Sequence, residues 1–304
     1  MNYADLHCDT PYELFIRGEK LKKASTDVDL TKLSFADKYL QLAAYCAPPD
    51  KTDSEAYRMF FEVADCFKNE LSENGLSLCL NGYDISANSR AFVLTAEDAR
   101  ILEGDLSRID TLYTEGVRVI TPLWGGVTCI GGSHEADSGL TPFGKDAVRR
   151  CAELGMILDI SHASEASADD ILDICENIGT PVMASHSCSF TLNPHSRNLR
   201  DRHAKRIADL GGVIGVNLYP PHLTGKSASL ADAVHHISHF VSVAGETSVS
   251  LGCDFDGIGI YPEDGKNVGC LPSLLCMMSS SGISSSLAEK IIYQNAYDFL
   301  TRSI

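Results

Sequence analysis

The sequence predicts an α/β protein folded as a (β/α)8 TIM barrel, and three observations predict it. Short apolar runs recur eight times along 304 residues, with longer amphipathic stretches between most of them. Glycines stand where a helix should end and a strand begin: Gly116 before Val-Arg-Val-Ile, Gly155 before Met-Ile-Leu-Asp-Ile, and Gly211–Gly212 before Val-Ile-Gly-Val. Several apolar runs also end in metal-competent side chains, which a barrel gathers on one face. No repeat, low-complexity tract or linker divides the chain, so residues 1–304 read as one barrel domain. Eight strands in this length suit a closed barrel better than an open doubly wound sheet.

In chain order, the first run is Tyr3–Leu6, which leads into Asp5-Leu6-His7-Cys8-Asp9. The second, Leu40–Tyr45, precedes a helical period over Ser54–Leu71. The third, Ala91–Leu94, ends near Glu97, and the fourth is Val117–Ile120. A helix over Lys145–Leu154 leads to the fifth run, Met156–Ile160, which ends in Asp159-Ile160-Ser161-His162. A helix over Ala166–Glu176 leads to the sixth, Pro181–Ala184, followed by Ser185-His186-Ser187. The helix Asp201–Leu210 feeds the seventh, Val213–Val216. The helix Ser229–Val243 feeds the eighth, Val249–Gly252, which ends in Cys253-Asp254-Phe255-Asp256-Gly257. Ser285–Thr301 reads as a closing helix, and the segments Gly18–Phe35 and Gly125–Gly139 are expected at the pocket mouth.

Composition narrows the function. Twenty-five basic residues against 41 acidic ones give a formal charge of −16, which argues against a nucleic-acid partner. With 44% apolar and 22% charged residues the chain is an ordinary globular one. No stretch reaches the roughly 18 apolar residues a membrane span needs. The first residues lack the basic and apolar regions of a signal peptide. The eleven cysteines, with no Cys-x-x-Cys among them, therefore read as reduced cytoplasmic thiols that mostly fill the core.

The strand ends carry the chemistry. His7 and Asp9 are two apart, so in an extended strand both face the barrel mouth and can hold one ion. His162 and His186 follow neighbouring strands and can hold a second. Glu97 can bridge the two through its two oxygens. Imidazole with carboxylate suits zinc, and manganese or cobalt fits the same donors. Each piece alone has a plainer explanation. Asp-x-His-x-Asp can be a surface turn, Asp-Ile-Ser-His a helix cap, and Asp254 and Asp256 a turn with Gly257. Glu97 also suits the first turn of a helix. Their shared placement at strand ends favours the metal. His235, His236 and His239 lie in mid-helix and read as a packed or solvated face. The glycine-rich Gly125–Gly132 segment lacks the P-loop lysine and reads as a mobile loop, and no Gly-x-Ser-x-Gly elbow appears.

These pieces resemble the renal-type membrane dipeptidases, binuclear zinc peptidases of the amidohydrolase superfamily. The matching segments run in family order over nearly the whole chain: Asp5–Thr10, Ala96–Glu97, Leu102–Leu112, Gly116–Arg118, Gly139–Gly144, Gly155–Ser164, Ser185–Ser187, Ser196–Arg200, Val216–Tyr219 and Gly252–Gly257. The resemblance implies a metal-dependent hydrolase barrel that cleaves L,L- or L,D-dipeptides with a hydroxide held between two zinc ions. It implies that His7 and Asp9 bind the first zinc, that Glu97 bridges, and that His162 and His186 bind the second. Asp254 would shuttle protons, Arg197 would clamp the substrate carboxylate, and Asn217 and Tyr219 would line the pocket. A homodimer is implied as well. Trp124 stands where the family's animal members carry a histidine that steadies the oxyanion; an indole N–H can donate a hydrogen bond but cannot transfer a proton. Near the C-terminus the family's Gly-Gly-Asn is replaced by Tyr293-Gln294-Asn295.

Two other readings are open. The first is another amidohydrolase-type enzyme acting on an acyl amino acid or a cyclic amide. Many of those open with His-x-His and some bridge through a carboxylated lysine, whereas His7-x-Asp9 and Glu97 stand here. The second is a catalytically silent barrel used for binding, motivated by Trp124 and opposed by the presence of all five ligand candidates.

Overall fold

A computed structural model describes residues 1–304. Eight strands form one parallel sheet in sequence order: β1 (Asn2–Asp5), β2 (Lys38–Cys46), β3 (Arg90–Glu97), β4 (Val117–Thr121), β5 (Ile157–Asp159), β6 (Val182–Ser187), β7 (Ile214–Val216) and β8 (Val249–Leu251). The sheet curls nearly closed. The Leu6 N–H donates to the Leu251 carbonyl at 3.0 Å, and Cys8 bridges Phe255 in parallel register. The eight expected strands are therefore the eight observed, and the fold is the (β/α)8 barrel.

Helices connect the strands: α1 (Thr10–Arg17), α2 (Asp53–Glu73), α3 (Gly82–Ala87), α4 (Ser107–Thr114), α5 (Pro142–Glu153), α6 (Glu165–Ile178), α7 (Asp201–Asp209), α8 (Pro220–Leu223), α9 (Leu230–Ala244), α10 (Leu271–Ser280), α11 (Ser285–Glu289) and α12 (Asn295–Ser303). Their ends follow capping chemistry. Thr52 closes a capping box with Glu55 on α2, and the Ser164 side chain accepts from Ser167 N–H on α6. Gly155 and Gly211 leave their helices at φ of 75° and 71°, a backbone that glycine reaches without strain. The expected closing helix is α11 and α12 joined by a π-helical turn, Lys290–Gln294.

The core has two parts. One buried cluster joins Ala4, Leu42, Val93, Val119 and Met183 of the strands to Ala296, Phe299 and Leu300 of α12, which covers the barrel end away from the site. The larger cluster lies between the strands and the surrounding helices. All eleven cysteines are free thiols, and most are buried.

The segment expected as a mobile glycine-rich loop is instead folded tightly. Val127 bridges Gly132 and Gly131 bridges Leu140, both antiparallel. A Cβ at Gly132 would sit 2.4 Å from the Ser138 carbonyl oxygen, so the glycine is required by close backbone approach. No helix is long and apolar enough to cross a membrane.

Candidate active site

Every expected ligand sits just beyond or at the C-terminal end of a strand. His7 and Asp9 follow β1, Glu97 ends β3, His162 follows β5, His186 lies in β6, and Asp254 follows β8. All but His162 are buried, and His162 is partly so. His162 and Asp254 adopt left-handed backbone, with φ of 68° and 63°. Non-glycine residues take that conformation uncommonly, His and Asp more readily than most, and here it turns both side chains at the strand ends.

The donor atoms converge on two points that share Glu97. One oxygen of Glu97 lies 3.4 Å from His7 Nε2, which is 3.7 Å from Asp9 Oδ1. The other oxygen lies 3.1 Å from His162 Nε2 and 3.7 Å from His186 Nε2. His162 Nε2 and His186 Nε2 face each other at 2.9 Å. His7–Asp9–Glu97 and Glu97–His162–His186 thus form two groups of donors close enough for one ion each. His7 Nε2, Asp9 Oδ1 and Glu97 Oε1 are buried with no hydrogen-bond partner. Orphaned buried donor atoms are costly unless something absent from the chain satisfies them, and a nitrogen–oxygen set of this kind fits zinc.

Charge is arranged to match. Burial pushes the imidazoles of His162 and His186 toward the neutral form, with Arg197 adding to it, so both can offer lone pairs. Burial opposes charge on Glu97, but His7 and His162 outweigh it and hold the carboxyl well below its usual range. Asp254 is pushed up to about 7 by burial, with Asp9 and Glu97 adding and His7 opposing. One Asp254 oxygen accepts from Asn217 Nδ2 at 2.9 Å, and the other lies 3.9 Å from His7 Nε2. Gly257 lets Asp9 and Asp254 sit side by side: a Cβ there would meet an oxygen of each at 2.3 Å.

A layer behind the ligands fixes their orientation. Asp159, at the end of β5, does not reach the donor groups. Its oxygens accept from Thr121 Oγ1 at 2.7 Å, Ser161 N–H at 2.9 Å, Ser185 N–H at 2.8 Å and Ser185 Oγ at 2.5 Å. Having donated its proton to Asp159, Ser185 Oγ accepts at 2.6 Å from His186 Nδ1–H. That tautomer leaves Nε2 unprotonated and aimed at the shared point. Asp256 is likewise outside the cluster, accepting from Thr10 Oγ1 and Asp27 N–H at 2.6 Å each and so tying the Gly18–Phe35 segment to the β8 loop.

Arg197 lies on the loop after β6. It is 4% exposed, yet the only partners of its guanidinium are the His186 carbonyl at 2.9 Å and Ser187 Oγ at 3.2 Å, and its Nε has none. Trp124 and Tyr219 line a cavity of about 200 Å³ with Asp9, Glu97, His162, His186, His222 and Asp254. Trp124 is 36% exposed, its ring centroid 6.1 Å from that of His162. Asn217 is fully buried behind Asp254, and its Oδ1 accepts from Tyr219 N–H at 2.5 Å. All ten expected site residues therefore gather at one end of the barrel. Three further histidines lie there that the sequence reading does not single out: His134, His195 and His222. His134 and His195 sit in loops and His222 in the short helix α8, with no spacing to mark them. His236, by contrast, packs in α9 against Ser189 N–H and the Leu223 carbonyl, and His239 faces Asp201, as the mid-helix position suggested.

A barrel with two sets of buried nitrogen and oxygen donors at its strand ends belongs among the metal-dependent hydrolases. Residues 1–301 match the membrane dipeptidase family, peptidase family M19, and the chain belongs to that family of metallopeptidases. It is 32% identical over 241 residues, 74% of this chain and 88% of the other, to an uncharacterized Klebsiella pneumoniae protein from the pqqA 5′ region. It is 35% identical over 196 residues to an uncharacterized dipeptidase of Schizosaccharomyces pombe, spanning 61% of this chain and 46% of that longer one. In fold it matches a Rhodobacter sphaeroides metallopeptidase solved with a phosphinate mimic of L-Ala-D-Ala, at a TM-score of 0.89 and 22% identity over 100% of this chain and 99% of the other.

Proposed function

We propose that this protein is a metallo-dipeptidase, acting as one barrel domain over residues 1–304 on free dipeptides of L,L or L,D configuration. The observation that carries the reading is the pair of buried donor groups sharing Glu97, with atoms left unpartnered in both. His7 and Asp9 would hold the first divalent ion, His162 and His186 the second, and Glu97 both. Zinc fits this donor set, and manganese or cobalt is the alternative load. Two such ions supply a water acidic enough to ionise near neutral pH and a Lewis-acid contact to the scissile carbonyl.

The chain's own residues do the rest. Asp254 takes the proton of the attacking water and hands it to the departing amine as the C–N bond breaks. Asn217 holds the second Asp254 oxygen and so fixes its direction. Arg197, buried without a carboxylate partner, receives the substrate's free carboxylate. A clamp for the free carboxylate beside the donor groups would favour dipeptides over longer chains. Trp124 and Tyr219 close the cavity around the bound substrate. At about 200 Å³ the cavity lies below the roughly 300–1,000 Å³ of drug-sized sites, which suits a small substrate. We place the protein in the cytoplasm, in line with its buried free thiols, and we expect a homodimer.

The test is hydrolysis by zinc-loaded protein of L,L- and L,D-dipeptides, a tripeptide and an acyl amino acid, with and without chelator. Chelator-sensitive cleavage confined to dipeptides is expected. Cleavage of the acyl amino acid alone would assign the clamp to another amide, and two bound zincs with no cleavage would indicate a silent barrel.

A further inference from the structure

The dipeptidase reading accounts for the metals, the proton shuttle and the carboxylate clamp, but not for the imidazoles beside the clamp. His222 lines the cavity on the α8 turn after β7. Its ring meets Tyr219 edge-on with centroids 4.8 Å apart, and lies 5.0 Å from His195. His195 Nδ1 accepts from Arg197 N–H at 3.1 Å, and the adjacent Ser196 hydroxyl lies 3.1 Å from His134 Nδ1.

The position of His222 is built, not incidental. Its carbonyl accepts from Asn193 Nδ2 at 3.0 Å and from Asn198 Nδ2 at 2.8 Å. Both asparagines belong to the loop that carries Arg197. On the other side, Tyr219 N–H donates to Asn217, which in turn holds Asp254. The α8 turn is thus pinned to the clamp at one end and to the proton shuttle at the other. An Arg197-bound carboxylate leaves the substrate's C-terminal Cα one bond away, so that residue's side chain must lie among the groups around the guanidinium. His186, whose carbonyl holds the guanidinium, and His222, on the turn pinned to the Arg197 loop, both line the cavity; His186 faces the shared donor point, which leaves the His222 ring, with Tyr219, to meet that side chain.

We propose that His222 is the specificity-determining residue for the C-terminal side chain of the substrate, forming with Tyr219 a wall that accepts uncharged side chains of limited size. The inference rests on the dipeptidase reading. Burial and the neighbouring Arg197 hold the imidazole neutral, lowering its pKa to about 2. The wall offers no carboxylate to a Lys or Arg side chain, and Arg197 repels one. Bulk is limited because the ring stands on a turn fixed at both ends.

The experiment compares kcat/KM for two dipeptide series on the zinc-loaded enzyme, Gly-X and X-Gly, with X as Ala, Leu, Phe and Lys. In the parent, Gly-Lys should be poorer than Gly-Leu by on the order of tenfold or more, the scale on which a pocket discriminates side chains. His222→Ala should raise the Gly-Phe to Gly-Ala ratio by on the order of tenfold and leave the Phe-Gly to Ala-Gly ratio within about threefold. His222→Gln, neutral and bulkier than alanine, should keep the parent's Gly-X ranking, which separates a lost wall from a damaged fold. Equal changes in both series, or a change confined to X-Gly, would overturn the assignment. Absence of any dipeptide cleavage by the parent would instead overturn the dipeptidase reading, and this inference with it.

Discussion

Replacing Arg197 by methionine tests the carboxylate clamp and its energetic cost together. Arg197 is 4% exposed and its guanidinium makes two hydrogen bonds, to the His186 carbonyl and to Ser187 Oγ, with no carboxylate within ion-pair distance. Under the proposed reaction a free dipeptide supplies that anion. Removing one partner of a buried, hydrogen-bonded charge pair costs about 3–5 kcal/mol. At about 1.36 kcal/mol per tenfold, Arg197→Met should lower kcat/KM for a free dipeptide by roughly 150- to 5,000-fold. The same change should leave a C-terminally amidated dipeptide, already a poor substrate, within about threefold of the parent. Stability should move the other way. Methionine fills much of the volume without an unpaired buried cation, so the melting temperature of the metal-loaded protein should match or exceed the parent's. Steady-state kinetics on both substrates, with a thermal melt of the same preparations, give the answer. Equal loss on free and amidated substrates would refute the clamp, and so would a melting temperature lower by more than about 5 °C, a scale of roughly 3 kcal/mol for a chain of this length, which would assign Arg197 a structural role.

Other residues give sharper tests of the metal centre. Asp254→Asn should keep both ions and lose kcat by about 10²–10⁴-fold, the usual contribution of a positioned proton-transfer group; loss of metal in step with activity would make Asp254 a ligand. Ser185→Ala breaks the hydrogen-bond relay from Asp159 to His186 Nδ1 and should weaken one of the two zinc sites by about 10–100-fold in a competition titration, leaving the other unchanged. Gly257→Ala puts a Cβ 2.3 Å from oxygens of both Asp9 and Asp254, and should therefore lower zinc affinity and kcat together while circular dichroism stays that of the parent.

How much of this was legible in the sequence follows from physics. The strands were readable because a parallel sheet buried on both faces needs continuous apolar runs, and Val117–Thr121 and Val182–Ser187 are buried throughout. The ligand candidates were readable because a barrel delivers strand ends to one face, so scattered residues could be grouped before their distances were known. Asp159 belongs to the same strand-end segment as His162. Only the geometry shows that it turns away to hold Ser185 and thereby His186. Helix α10 was missed because Leu-Pro-Ser-Leu-Leu-Cys-Met-Met is apolar around most of its circumference and shows little amphipathic period. Helix α1 begins immediately after Asp9, where the metal-like motif draws the eye, and runs for only eight residues. His134 and His195 stand in two separate loops and His222 in the short helix α8. No spacing announces that folding will bring them around Arg197.

The central claim is that five side chains hold two ions through one shared carboxylate. Diffraction from zinc-loaded crystals, measured at the zinc absorption edge, tests it most directly. The account predicts two anomalous peaks, one among His7, Asp9 and Glu97 and one among Glu97, His162 and His186, and the loss of at least one of them in Glu97→Gln. A single peak elsewhere in the barrel, or two peaks that persist unchanged in Glu97→Gln, would contradict it.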